Sequence, residues 1–482
     1  MRRARARTAS VPDFPETSFF SERILSNLSS RIESWPFSTF HRRLLVIGGL
    51  GYTFDAMDAA VLAFILPVLR AVWHLTSVQT GVLGSGTYIG YFFGALLAGA
   101  CGDLIGRRRV MMVALAIYSA ASLASAMTHG WPTFLVSRIV AGFGTGAESA
   151  IIAPYLAEFV SRRYRGTFVG SLAGFFSFGF VAAALLGYLV VPATPQGWRI
   201  VLVLTALPVL MLLWWRRALP ESPRWLESRG RHAEAAATVQ RIEQQLLAAG
   251  AVLETPAPET GHATHAADAP AAMSLAANFK ALWAGRQARV TAMTWTMWLA
   301  ITFSYYSFFT WIPGLLIQHG MSITKSFGYS LVIYVAQIPG YFSAAWLNEK
   351  LGRQATIATY MVLGGVAALA MTMMRSNEAI MAAGICLSFF MNGTYAGVYA
   401  YTAEVFPTAI RTTGVGTASA VGRIGAIVSP ILVGYIFPAF GFGGVFGITT
   451  AVLVAGALVV LVMGINTRGR SLENIAVQDL DA

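Results

Sequence analysis

GGLGYTFDAMDAAVLAFILP, residues 48–67, is long and apolar enough to cross a bilayer, yet it carries two carboxylates, Asp55 and Asp58, in its middle. They stand three residues apart, so on a helix they share a face. Acidic side chains at membrane depth are expensive and usually face a bundle interior or a watery cavity. The competing reading is a buried pair kept for helix packing.

Working outward, 56% of the 482 residues are hydrophobic and only 12% are charged, with a mean hydropathy of +0.61. Soluble domains carry about 25% charged residues, so lipid must solvate much of this surface. Forty-seven glycines and twelve tryptophans agree with that, because transmembrane helices tolerate Gly and membrane interfaces favour Trp. The net charge of +12 does not point to nucleic acid, since the basic residues sit mainly in the N-terminal tail and in turns between apolar spans. Cys101 and Cys386 lie inside or at the edge of spans and read as small packing residues, with neither disulfide nor metal-site spacing. The arginine-rich start is not followed by a short apolar region with a cleavage site, so no cleaved signal peptide is expected.

Residues 1–18 read as disordered. Over 19–35, Phe20, Ile24, Leu28, Ile32 and Trp35 recur at helical spacing, as in an amphipathic helix at a membrane surface or, preferably, one that simply caps the bundle. Twelve spans follow, at about 44–66, 81–101, 110–128, 134–157, 167–191, 199–215, 290–317, 325–347, 354–374, 379–404, 412–437 and 444–465, each near the length of about 20 residues that crossing requires. The expected fold is an all-α membrane protein of two pseudo-symmetric six-helix bundles, 44–215 and 290–465. A tail (1–43), a linker (216–289) and a C-terminal tail (466–482) complete it. In the linker, 231–248 reads as a helix, 250–270 as a flexible stretch and 271–284 as a second short helix. His262 and His265 in that stretch are solvated rather than metal-binding. With the termini cytoplasmic, Arg107, Arg108, Arg109, Arg162, Arg163, Arg165, Lys350, Arg353 and Arg411 fall inside, and few basic residues, such as Arg70, Arg199 and Arg375, fall outside.

An offset of 246 residues aligns the two halves without a gap. Asp103, Gly106 and Arg107 fall on Glu349, Gly352 and Arg353; Tyr155, Glu158 and Arg165 fall on Tyr401, Glu404 and Arg411; Pro67 falls on Pro313. Repeated halves of this kind place a substrate site between them near the midplane. The repeated charges Asp103, Arg107, Glu158, Arg165, Glu349, Arg353, Glu404 and Arg411 all lie at inner span ends. They are expected to form a cytoplasmic gate whose acids and bases pair in one orientation of the halves, latching the outward-open state, and separate in the other. Topology alone would explain the arginines but not the matched acids.

Charges present in one half only are the better functional candidates. Under the same offset Asp58 meets Ser304, Arg138 meets Gly384, Glu148 meets Thr394, and Arg423 meets Ser177. With a rise of about 1.5 Å per residue, Asp55 lies about 16 Å, Asp58 about 21 Å and Arg138 about 23 Å from the inner face of a core about 30 Å thick. Asp58 and Arg138 are therefore depth-matched. A carboxylate that gains and loses an arginine changes its proton affinity and can carry a proton. Asp55 and Glu148 would tune that site, and Asp55, nearer the level of Arg423, is also a pocket candidate. Arg423 comes near the midplane with no acid of its own half at its depth, which suits an anionic substrate, and its fork suits a carboxylate. Trp295, Trp298, Thr302, Tyr305 and Tyr306 on span seven, with Asn392, Tyr395 and Tyr399 on span ten, supply polar-tipped aromatic walls for such a pocket. Any single one of these aromatics is more often packing than binding.

These residues resemble the major facilitator superfamily over essentially the whole chain. GDLIGRRR at 102–109 is similar to the loop signature between helices two and three, SRIVAGFGTG at 137–146 to the helix-four pattern, and PESPRWL at 220–226 to the sugar-porter signature after helix six. The resemblance implies that Asp58 and Arg138 occupy the positions of the proton-coupling pair. It does not imply a sugar, because Trp295 and Thr296 stand where sugar porters carry paired glutamines. FDAMD at 54–58, YYSFFTWIP at 305–313 and YTAEVFPTAIRTTGVG at 401–416 resemble instead the group of bacterial nicotinate transporters, synaptic vesicle glycoprotein 2 and organic ion transporters. There, an arginine at the position of Arg423 is implicated in anion binding.

The expected function is proton-coupled import of a small aromatic carboxylate, nicotinate first, or its amide, by a monomer in a bacterial inner membrane. Membrane lipid and the proton are its other partners, with no cofactor, metal or nucleic acid. Efflux by the same fold and a non-transporting receptor are the competing readings. No nucleophile, phosphate loop or metal-ligand spacing points to an enzyme.

Overall fold

The computed structural model describes residues 28–253, 275–407 and 410–467. The expectations for 1–18, for the start of the 19–35 helix, for most of 250–270 and for 468–482 lie outside these residues. Among the described residues the regular structure is helical throughout. The first half holds α1 (Leu28–Glu33), α2 (Thr39–Val72), α3 (Ser77–Ile105), α4 (Arg107–Ala126), α5 (Trp131–Ala157), α6 (Arg162–Val190), α7 (Gly197–Ala206) and α8 (Met211–Ala218). The connection carries α9 (Pro223–Ser228), α10 (His232–Ala248) and α11 (Leu275–Leu282). The second half holds α12 (Gly285–Gln318), α13 (Ile323–Val335), α14 (Gln337–Leu351), α15 (Arg353–Met373), α16 (Asn377–Val405) and α17 (Arg411–Met463).

Sequence sets where these helices start and break. Thr76 caps α3 reciprocally with Gln79, its Oγ1 accepting from the Gln79 amide (3.2 Å) while Gln79 Oε1 accepts from the Thr76 amide (2.9 Å). Ser322 and Ser376 cap α13 and α16 in the simpler way. The expected eighth span is broken in two at Ala336, because Pro339 has no amide proton to give the carbonyl of Val335, where α13 ends. Pro208 likewise sits in a short 3-10 turn, Leu207–Leu210, between α7 and α8. Spans eleven and twelve run together as α17, and the chain turns inside it at Gly441, whose φ of 60° and ψ of −156° are non-helical. Counting α7 with α8, α13 with α14 and α17 as two, twelve crossings result. Ten helical stretches qualify by length and apolarity, α17 among them as one, and α2 adds its 34 residues.

The repeat persists in contacts as well as letters. Gly94 of α3 packs so closely on the carbonyl of Phe143 that a Cβ would collide with it, and Gly340 does the same with the carbonyl of Phe389, 246 residues on. Tyr155 donates its hydroxyl to the carbonyl of Pro220, and Tyr401 donates to that of Ile465 at 2.8 Å, so each half clasps the chain leaving its sixth span. Gly106 (φ 101°) and Gly352 (φ 89°) make the same turn in the two halves. Small residues at crossings are how helices approach in lipid.

Leu96, Leu185, Leu189, Tyr435 and Val462 face outward, as a lipid-solvated surface requires. Cys101 and Cys386, expected as packing residues, are exposed on that surface instead. At one end the halves close on each other: Gly81 meets Pro430, Ser85 donates to the carbonyl of Ile427 (2.6 Å), and Phe64 packs on Phe327 (5.4 Å). The capping helix is short in the described residues and its apolar side is covered by protein rather than a membrane surface. Ile32 and Trp35 are buried among Val239, Ile242 and Leu246 of α10, and Arg31 forms a buried ion pair with Glu243 (2.6 Å).

Candidate functional site

Glycines bring α3 and α5 together: Gly142 sits against the carbonyl of Thr87, and Gly90 against that of Ile139. That close approach sets Arg138 of α5 beside α2. Arg138 and Asp58 are both fully buried, with Nη2 donating to Oδ2 at 2.6 Å and Nη1 to Oδ1 at 3.2 Å. Ser122 of α4 donates to Asp58 Oδ1 at 2.7 Å, and Thr87 lies 3.3 Å from both Nε and Nη2 of Arg138. The depth-matched charges thus meet as a two-pronged pair. Hydrogen bonds from two neighbouring helices, α3 and α4, offset the cost of its burial.

Asp55 belongs to a different group. It is 2% exposed, accepts from Ser149 Oγ at 2.7 Å, and leaves Oδ1 without a partner. Glu148, fully buried on α5, has no partner for either oxygen and lies against Gly51, one turn before Asp55 on α2. Each acid lies within electrostatic reach of the other. Asp55 is therefore closed off from the space between the halves and stands with Glu148 rather than with an open pocket.

Arg423 of α17 faces the first half. Its Cζ lies 4.1 Å from the centroid of the Tyr91 ring, and Nη2 donates to the Tyr91 hydroxyl at 3.4 Å. It forms no ion pair among the described residues, and it is only half-buried. Tyr306, Tyr395 and Tyr399 stand within its electrostatic reach. Tyr306 packs on Tyr88 of the first half (4.4 Å), Tyr395 lies edge-on to Tyr305 (5.2 Å), and Trp298 lies edge-on to Tyr399 (4.9 Å). The walls are held from behind: Tyr305 donates to Gln337 Oε1 (2.9 Å), Asn392 to the carbonyl of Gln337 (2.7 Å), Trp298 Nε1 to Thr402 (2.9 Å) and Thr302 to the carbonyl of Gly422 (2.7 Å). Thr302 and the Asn392 amide nitrogen thereby bond to backbone and brace the wall. Trp295 stands elsewhere, packed edge-on against Trp283 (5.1 Å) and near Phe279 (6.4 Å) of the connection.

At the other end from the closed contacts, the repeated charges form two matching triads, each inside its own half. Arg107 pairs with Asp103 (3.7 Å) and with Glu158. Arg353 pairs with Glu349 (3.1 Å), and its Nε lies 2.9 Å from Glu404 Oε1, an ion-pair distance without hydrogen-bond alignment. Arg165 turns to Glu33 (3.1 Å), which also takes Arg162 and Arg224 (3.3 Å), while Arg411 donates to the carbonyl of Phe406 (3.3 Å). In this structure Arg107 and Arg353 pair with acids of their own halves, and the halves meet at the opposite end.

Tyr91, Tyr88, Thr87, Ser122 and Ser149 were not singled out from sequence. Tyr88 and Tyr91 are three apart on one face of α3, and depth-counting along span two would have placed Tyr91 near the midplane.

A family model described as Sugar (and other) transporter matches residues 18–478. The Niacin transporter NiaP of Acinetobacter baylyi is 38% identical over 452 residues, covering 94% of this chain and all of that protein. The Gallate transporter of Pseudomonas putida is 28% identical over 442 residues, covering 90% and 94%. Among solved structures, the xylose transporter XylE from E. coli in a partially occluded inward-open conformation superimposes with a TM-score of 0.71. It is 18% identical, over 90% of this chain and all of that one, which is a likeness of fold.

Proposed function

The chain belongs to the Sugar (and other) transporter family of the major facilitator superfamily, a family of multi-pass membrane transporters, and on that premise we propose that it imports nicotinate together with a proton by alternating access. One observation carries the substrate class. Arg423 sits between the halves, walled by tyrosines and, among the described residues, without an acid to neutralise it, so an aromatic carboxylate satisfies both its charge and the rings around it. The names of the niacin and gallate relatives support the same class.

Asp58 and Arg138 are the proton site in this reading. While paired, the buried carboxylate keeps its negative charge; a shift of α2 against α5 within the first half that pulls Arg138 away leaves it to take a proton. Asp55 and Glu148, buried nearby with free oxygens, set the field that Asp58 experiences. The gate triads face the cytoplasm, in keeping with the arginines at that end and the positive-inside rule. The structure then corresponds to an inward-facing state, and in the outward-facing one the two triads approach each other as the cytoplasmic end closes.

The test is uptake of labelled nicotinate into proteoliposomes under an imposed pH gradient. The wild-type protein accumulates nicotinate only with the gradient, whereas Asp58→Asn exchanges nicotinate but does not accumulate it. Uptake by Asp58→Asn that still follows the gradient would remove Asp58 from the coupling role.

A further inference from the structure

A second arginine lies between the halves, at their closed end. A cavity of about 100 Å³ opens there between α2, α3 and α12, walled by Leu66, Pro67, Thr80, Thr310 and Trp311, with Arg70 at its edge. Arg70 Nη2 donates to Ser77 Oγ at 3.2 Å, but Nη1 is buried with no acceptor, and the Thr310 hydroxyl on the facing wall is also buried without a partner. Among the described residues no acid lines the cavity. Under the 246-residue offset Arg70 falls on Leu316, so this cation, unlike Pro67 with Pro313, is not repeated in the second half.

A guanidinium with an unused N–H, an unpaired hydroxyl opposite and an indole beside them make a site for a small planar carboxylate. This site is not the one at Arg423. Arg70 stands twelve residues beyond Asp58 on α2, about 18 Å along the helix axis. Between the two arginines lie the contact of Gly84 with Thr310 and the packed rings of Tyr88 and Tyr306, one from each half. The two cations thus sit on opposite sides of a barrier that both halves build.

We propose that the Arg70 cavity is an outer capture site that takes the aromatic carboxylate from the external medium and delivers it to Arg423 when the Tyr88–Tyr306 barrier parts. The inference rests on the proposed import of a carboxylate with the gate triads facing the cytoplasm. A cation at the mouth raises the local concentration of an anion, an effect that salt screens.

The experiment compares wild type, Arg70→Gln and Arg70→Lys in right-side-out vesicles, measuring nicotinate uptake at low and high salt, alongside nicotinate-induced thermal shift of the purified protein. Arg70→Gln should raise the uptake KM about tenfold at low salt and flatten its salt dependence, with little change in maximal rate. Arg70→Lys should retain the salt dependence. The thermal shift, which reads the inward-facing Arg423 site, should be the same in all three. An unchanged KM and salt slope in Arg70→Gln would overturn the capture site while leaving the proposed function intact, and so would a parallel loss of thermal shift. If the wild-type protein takes up no aromatic carboxylate, the function itself is wrong and the capture site falls with it.

Discussion

The guanidinium of Arg423, in the second half of the chain, lies over the ring of Tyr91, in the first, with Cζ 4.1 Å from the ring centroid. A cation held by a ring from the opposite half is held only while the halves keep this tilt. The contact therefore couples the charge that would receive the substrate to the motion that would deliver it.

Tyr91 should act through its ring more than its hydroxyl, since the hydroxyl contact is long at 3.4 Å. Tyr91→Phe should keep nicotinate binding within about twofold, because the ring face supplies the cation–π attraction. Tyr91→Ala forfeits that attraction, about 1–2 kcal/mol where desolvated. Calorimetric titration of the purified variants separates the two.

Arg423→Ala should weaken nicotinate binding by about tenfold to a hundredfold, the range for hydrogen bonds to charged groups. Arg423→Lys should recover only part of it, because an ammonium lacks the planar fork. The same titration against nicotinamide is informative: an amide carries no charge, so its affinity should change far less. Equal losses for acid and amide would argue that Arg423 supports the fold and does not read the carboxylate.

The buried pair makes a stability prediction that does not depend on transport. Arg138→Ala leaves Asp58 fully buried without its charge partner, and removing one member of a buried pair costs about 3–5 kcal/mol. The double variant Asp58→Asn with Arg138→Gln removes both charges and should be more stable than Arg138→Ala. Melting temperatures in detergent test the order.

Close packing at the crossings predicts opposite effects for two glycines. Gly94→Ala forces a methyl into the carbonyl of Phe143, and overpacking of this kind costs about 1–3 kcal/mol. Gly170, with nothing within 4 Å of its Cβ position, should tolerate alanine or gain up to about 1 kcal/mol of helix propensity. A fall in melting temperature for the first and none for the second is the expected result.

Much of this was legible in the sequence because helical rise is a fixed ruler. Counting from span ends put Asp58 and Arg138 at one depth, and they touch. The repeat offset sets Gly106 on Gly352, and the two glycines make the same turn. What the ruler does not measure is azimuth. Trp295 shares a span with Trp298 and Tyr305, but its face turns to the connection helix α11, and only the packing of Phe279 and Trp283 determines that. Asp55, three residues from Asp58, was likewise placed near a pocket by depth, whereas its direction takes it to Ser149 and the Glu148 side of α5. The Tyr91–Arg423 contact depends on how two separately folded halves tilt, and no local pattern in either half encodes that angle. The gate charges illustrate the same point: their repeat was visible, and their pairing within each half belongs to the state.

The tyrosine clasps at Pro220 and Ile465, together with the Arg31–Glu243 bridge, imply that the polypeptide could be supplied in two pieces. Among the described residues the packing that completes the first unit ends by residue 253, and α11 opens the second, where it packs on α12 and α17. A nick between these positions severs the covalent thread and none of those contacts. Co-translated fragments should then find each other in the bilayer through the α3–α17, α2–α12 and α6–α13 seams, so the surface on which the halves meet doubles as an assembly surface.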